Sequence, residues 1–179
     1  MTGPEPTTAP TPAPTPAPLS QERQDLLESL QTQRHFLTVT VANLTDEQAR
    51  LTPTVSALSL GGLIKHVSLT EQSWYAFATG TPEAMAGDPQ EWMQAFVMGP
   101  QETLADLLAR YEQIAARTDE LAAAADLDVA YPLPPAPWFA PGATRSVRRV
   151  LMHIVAETAQ HCGHADIIRE SIDGQKTMG

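Results

Sequence analysis

Residues Arg145 to Gly174 read RSVRRVLMHIVAETAQHCGHADIIRESIDG, and this pattern predicts one long helix. Val150, Ile154, Ile168 and Ile172 recur at helical spacing. Glu157, His161 and His164 fall on the same stripe between them, four and then three residues apart. A carboxylate and two imidazoles on a stripe meant for burial are costly unless something binds them. A divalent metal would satisfy them. Gly174 is the expected stop signal.

Working outward, three more helices are predicted. Ser20 caps the first, from about Gln21 to Asn43, with Leu26, Leu27, Leu30, Phe36, Leu37 and Val41 at helical spacing. Thr45 to Gln48 has the pattern of a capping box, so a short helical turn is expected there. The second long helix spans about 60–79, after Ser59-Leu-Gly-Gly, and carries Leu63, His66, Thr70 and Trp74 on one face. Residues 80–100 hold Gly80, Pro82, Gly87, Pro89, Gly99 and Pro100, which predicts a long connection with one helical turn around Trp92. The third long helix runs from about Gln101 to Ala125. The proline-rich segment 126–144 follows it.

No stretch alternates as a strand of useful length. The expected fold is therefore all-α, a four-helix bundle with long crossover connections, a class that builds metal sites from side chains on facing helices. The expected organisation is a disordered Pro/Thr/Ala-rich tail over 1–19 and a metal-binding bundle over 20–179.

Charge and cysteine content narrow the functional classes. The 179-residue chain has a formal net charge of −10, which disfavours binding to nucleic acid phosphates and to anionic membrane surfaces. No apolar run approaches the roughly 20 residues that span a bilayer, and the N-terminus lacks a basic region followed by an apolar block. The single cysteine, Cys162, excludes an internal disulfide and predicts a reducing, cytoplasmic setting.

If the second and fourth long helices face each other, His66 meets Glu157 and His161. Such a set leaves coordination positions for water or substrate, and its ligand types suit zinc, nickel, iron or manganese. His153 and His164, one turn away on either side, are expected as further ligands or as partners that orient the ligands. His35 is expected to be structural or exposed. Cys162 lies about 100° around the helix from its neighbour, off the metal. Trp74, Trp92, Trp138 and Phe139 are expected either to wall a pocket or to cap the core ends. Arg145, Arg148 and Arg149 form a basic cluster whose readings are a holder for a carboxylate or sugar-like ligand and a solvated helix start.

The segments GGLIKHVSLTEQSW and LMHIVAETAQHCGHADIIRESIDG resemble the DinB/YfiT-like superfamily of metal-binding four-helix bundles, and most strongly its mycothiol-dependent branch. The resemblance covers most of residues 20–174. It implies zinc or nickel held by His66, Glu157 and His161. Many relatives have histidine in the middle position, whereas Glu157 resembles the maleylpyruvate isomerase-like members, and a carboxylate there weakens the Lewis acidity of the metal. His164 falls where many relatives have glutamine. The resemblance further implies a homodimer and a transferase that joins a low-molecular-weight thiol, of the mycothiol or bacillithiol type, to small electrophiles in detoxification or stress response. Two other readings use the same residues: a non-enzymatic metal-binding or interaction bundle, and a metal-dependent hydrolase in which water replaces the thiol.

Overall fold

The computed structural model describes residues 18–85 and 89–177. The expected tail lies outside the described residues except for Pro18 and Leu19, as does Gly87 in the long connection. In chain order the elements are α1 (Gln21–Thr40), α2 (Asp46–Arg50), α3 (Leu60–Ala78), a 3-10 turn at Pro82–Met85, α4 (Pro89–Gln94), α5 (Leu104–Ala124), β1 (Ala130–Pro132), β2 (Thr144–Ser146) and α6 (Val147–Asp173). The fold is all-α apart from the short ribbon. No helix among the described residues is long and apolar enough to cross a membrane.

Side-chain caps set where α2, α3, α5 and α6 begin, whereas Ser20 stands at the N-cap of α1 without the expected side-chain cap hydrogen bond. The Thr45 hydroxyl accepts from the Gln48 N–H while the Gln48 side chain accepts from the Thr45 N–H, a complete capping box at α2. Ser59 accepts from the Gly62 N–H at 3.2 Å and opens α3. Thr103 accepts from the Asp106 N–H at 3.1 Å, which starts α5 at Leu104 rather than Gln101. Ser146 accepts from the Arg149 N–H at 3.2 Å, so α6 starts at Val147 rather than Arg145.

Arg145 belongs instead to β2, antiparallel to β1, with Tyr131 opposite Arg145 and Pro132 opposite Thr144. This ribbon is an addition to the expected all-α fold. Its strands have three residues each, too short for an alternating pattern to declare itself.

The first helix also ends earlier than expected, at Thr40 rather than Asn43. Asn43 has φ +61°, a left-handed conformation that cannot continue a right-handed helix. The buried Arg169 guanidinium donates to the freed carbonyls of Thr40 and Ala42, at 2.8 and 2.9 Å. Arg23 does the same for α5, donating to the carbonyls of Ala122 and Ala125 at 2.6 and 2.7 Å.

The four long helices close a ring of contacts in the order α1–α5–α3–α6. Two apolar clusters fill it. One holds Leu37, Val41, Leu60, Leu63, Ile64, Val67, Leu107 and Ile168. The other holds Leu30, Trp74, Phe77, Val150, Leu151 and Ile154. Polar residues separate them. On α1, Arg34 lies between Leu30 and Leu37, and on α3, Glu71 lies between Val67 and Trp74. The two meet at 2.5 Å, with side chains 9% and 1% exposed. Arg34 also reaches Asp119 of α5 at 2.6 Å. Burial works against the Arg34 charge, but Glu71 and Asp119 outweigh it and hold the guanidinium above its ordinary pKa.

Removing one member of a buried pair strands the other charge, at a cost of about 3–5 kcal/mol, whereas a partly exposed pair contributes about 1 kcal/mol or less. Glu71→Ala is therefore expected to lower the unfolding free energy by about 3 kcal/mol in denaturant titration, and Asp119→Ala by about 1 kcal/mol. Equal losses would contradict the assignment of Glu71 as the buried counterion.

Candidate functional site

α3 and α6 face each other along two matched rows. His66 of α3 lies opposite Glu157 and His161 of α6, and Trp74, two turns further along α3, lies opposite His153. Residue numbers rise on one helix as they fall on the other, so the two run antiparallel.

At one end of the seam a carboxylate oxygen sits between two imidazoles. Glu157 Oε1 is 3.1 Å from His66 Nε2 and 3.3 Å from His161 Nε2. One ligand atom from each residue lies within 4.8 Å of the other two. Hydrogen bonds from His161 and His66 hold the Glu157 carboxyl far below the ordinary carboxylate range, outweighing its burial. His161 is buried, whereas the Glu157 side chain is 22% exposed. The cluster therefore opens to solvent on the Glu157 side.

Donors about 2.0–2.2 Å from a tetrahedral metal stand roughly 3.4 Å apart. The two Glu157 separations approach that spacing, and the mixed nitrogen and carboxylate set suits zinc and its neighbours in the first transition row. The three side chains fit a divalent metal.

The remaining histidines take different places. His164 lies behind His161, Nδ1 to Nδ1 at 3.4 Å, on the opposite side of the ring from the nitrogen that faces Glu157. One of these nitrogens donates and the other accepts, which holds the His161 ring in orientation. His153 stands edge-on to Trp74 with centroids 4.7 Å apart. Burial pushes the His153 pKa down, and the positive Arg145 adds to the effect. Neither histidine joins the three-residue cluster. His35 is exposed. Cys162 is buried and donates to the Gln33 carbonyl at 3.3 Å, and burial pushes its thiol up to about 11, which makes it a poor nucleophile.

The pocket residues divide in the same way. Trp74 is buried and forms part of the second apolar cluster. The Arg145 guanidinium carbon lies 4.7 Å from the Trp74 ring centroid and 5.3 Å from that of Phe139. Trp138 is mostly exposed and packs on Trp92, centroids 5.7 Å apart, and on Phe139. Arg148 is engaged elsewhere, paired with Glu22 at 2.5 Å and with Asp128.

One residue of the site is not legible in the sequence pattern. Phe96 stacks on the His66 ring at 3.8 Å, with 17° between the planes. It arrives on the segment after α4, which is strapped to α3. Lys65 donates to the Val97 carbonyl at 3.0 Å and pairs with Glu102 at 2.9 Å. The Glu102 carboxylate in turn accepts from the Gly99 N–H at 2.6 Å. Gly62 allows the close approach: a Cβ there would stand 1.9 Å from the Phe96 carbonyl oxygen. The Gly61-Gly62 pair was the available signal, since paired glycines inside a helix mark close backbone contact.

A model of the mycothiol-S-transferase family matches residues 25–174. The match covers all four long helices except the first turn of α1, and includes every residue of the cluster. No curated protein matches the chain.

Because the backbone carbonyl of Phe96 cannot yield as a side-chain tip would, Gly62→Ala is expected to push the Phe96 segment away from α3. Overpacking of this kind costs about 1–3 kcal/mol. The His66 ring protons should also lose the upfield shift imposed by the stacked phenyl, read by NMR with labelled histidine. An unchanged His66 spectrum would contradict the role given to Gly62.

Proposed function

This chain belongs to the mycothiol-S-transferase family, and on that premise we propose that it is a metal-dependent transferase that joins a low-molecular-weight thiol to small electrophiles. The observation that supports the metal is the convergence of His66 Nε2, Glu157 and His161 Nε2 on one point of the α3–α6 seam. We assign the ligand role to these three residues, with zinc or nickel as the metal, mycothiol or a related thiol as co-substrate, and detoxification or stress response as the setting. Residues 20–179 form the metal-binding unit in this reading, and 1–19 a tail.

A divalent metal bound there supplies Lewis acidity, which makes the thiolate form of a thiol accessible at neutral pH. The residues around it do the rest. His66 is held flat by Phe96, and His161 is oriented from behind by His164, so both Nε2 atoms stay aimed at the same point. Glu157 contributes a negative charge, which tempers that acidity and leaves the thiol sulfur electron-rich enough to react. The partly buried Phe96 ring, stacked on His66, limits water beside the reacting atoms. The thiol gives up its proton, its sulfur lone pair forms the new C–S bond, and the displaced pair leaves with the departing group or takes up a proton on the adjacent carbon. Cys162, buried and with a raised pKa, takes no part.

The experiment is an assay of electrophile loss with purified protein and mycothiol, using monochlorobimane as acceptor. The expected result is thiol-dependent turnover that a chelator abolishes and added zinc or nickel restores, reduced at least about a hundredfold in His161→Ala, as loss of a principal catalytic group implies. Turnover without thiol would point to a metal-dependent hydrolase. No turnover with any thiol would leave a binding protein.

A further inference from the structure

Arg145 is a half-buried cation without a counterion. Its Nη1 atom is buried and makes no hydrogen bond, and no carboxylate among the described residues pairs with it. Other arginines also lack a carboxylate partner, but among the described residues Arg145 is the one basic side chain with a buried nitrogen that makes no hydrogen bond, whereas Arg148, three residues on, is paired twice. An unpaired guanidinium nitrogen out of water is costly. Here the cost is offset only in part, by the faces of Trp74 and Phe139. Arg149 lies close enough to depress the Arg145 pKa together with burial, so its charge adds to the positive field instead of neutralising it. The flat aromatic faces leave the fork of donors in a fixed orientation, the arrangement that matches a carboxylate.

The position relates this group to the cluster. Trp74 lies eight residues beyond His66 on α3, about 12 Å along the helix axis. Arg145 sits over Trp74, and His153 stands against the same ring on the α6 side. A reacting carbon at His66, Glu157 and His161 and an acid group at Arg145 are thus about two helical turns apart, a distance that a spacer of several bonds spans.

We propose that Arg145, stacked on Trp74 and Phe139, is the receptor for a carboxylate carried by the electrophilic co-substrate, so that the preferred acceptors are elongated organic acids. This rests on the transferase reading for the identity of the bound molecule, but not for the existence of the carboxylate site.

The test has two arms. For binding, the unreactive 6-succinimidohexanoate and its neutral methyl amide are titrated calorimetrically into wild type, Arg145→Gln and Arg145→Lys. The acid is expected to bind at least fivefold more tightly than the amide, an estimate of about 1 kcal/mol for one charge-assisted pair. The preference should vanish in Arg145→Gln and persist in part in Arg145→Lys. For turnover, 6-maleimidohexanoate and its methyl amide are compared as acceptors. The thiol S–H adds across the C=C bond, forming one C–S and one C–H bond, and the acid should show the lower KM in wild type but not in Arg145→Gln. Equal binding of acid and amide by wild type, or a preference unchanged in Arg145→Gln, overturns the proposal. An acid preference in binding without any thiol addition upholds the carboxylate site and overturns the transferase. Thiol addition with no preference for the acid does the reverse.

Discussion

The contact that fixes how α3 and α6 face each other is a single carboxylate oxygen, Glu157 Oε1, between two imidazole nitrogens at 3.1 and 3.3 Å. Polar groups on buried helical stripes must find partners, because leaving them dry and unpaired costs more than a helix pair can recover elsewhere. This requirement sets the register of the seam, since a shift of one turn would take Glu157 away from His66 and leave that histidine without its partner, while His161, one turn from Glu157 on α6 itself, would keep its own. On α1 the same requirement is met by Arg34, which draws Glu71 from α3 and Asp119 from α5. Two polar contacts thus fix the mutual positions of helices whose apolar residues alone would tolerate sliding.

These two solutions look alike in the sequence, and that limits what it discloses. His66, Glu157 and His161 were legible because each interrupts an apolar stripe with a group that ligates metals. Arg34 and Glu71 interrupt their stripes in the same way, yet neither periodicity nor spacing says that they pair with each other, since their partners come from different helices. Phe96 was hidden for another reason. It reaches His66 through backbone contacts made possible by Gly62 and strapped down by Lys65 and Glu102, and none of these carries a periodic signal.

Helix boundaries show the competition between local rules. Arg145 continues the helical pattern of α6, but Ser146 is a better cap than an interior residue, and the backbone of Arg145 is drawn into pairing with Tyr131. The outcome matters for chemistry. As a residue of α6, Arg145 would have shared the solvated helix start with Arg148 and Arg149. On the ribbon it is turned onto Trp74, and the basic cluster separates into an ion-paired Arg148 that ties α1 to α6 and an unneutralised Arg145 beside the seam.

The proposed metal site requires His66, Glu157 and His161 at the α3–α6 seam to act together. Metal content by mass spectrometry, on protein purified without an affinity tag and incubated with zinc or nickel, tests it most directly in wild type, His66→Ala and His161→Ala. About one metal per chain is expected in wild type, bound in an open site of the catalytic kind, with loss from both variants although the two histidines lie on different helices. A metal-free wild type, or a variant that keeps its full metal content, would contradict it.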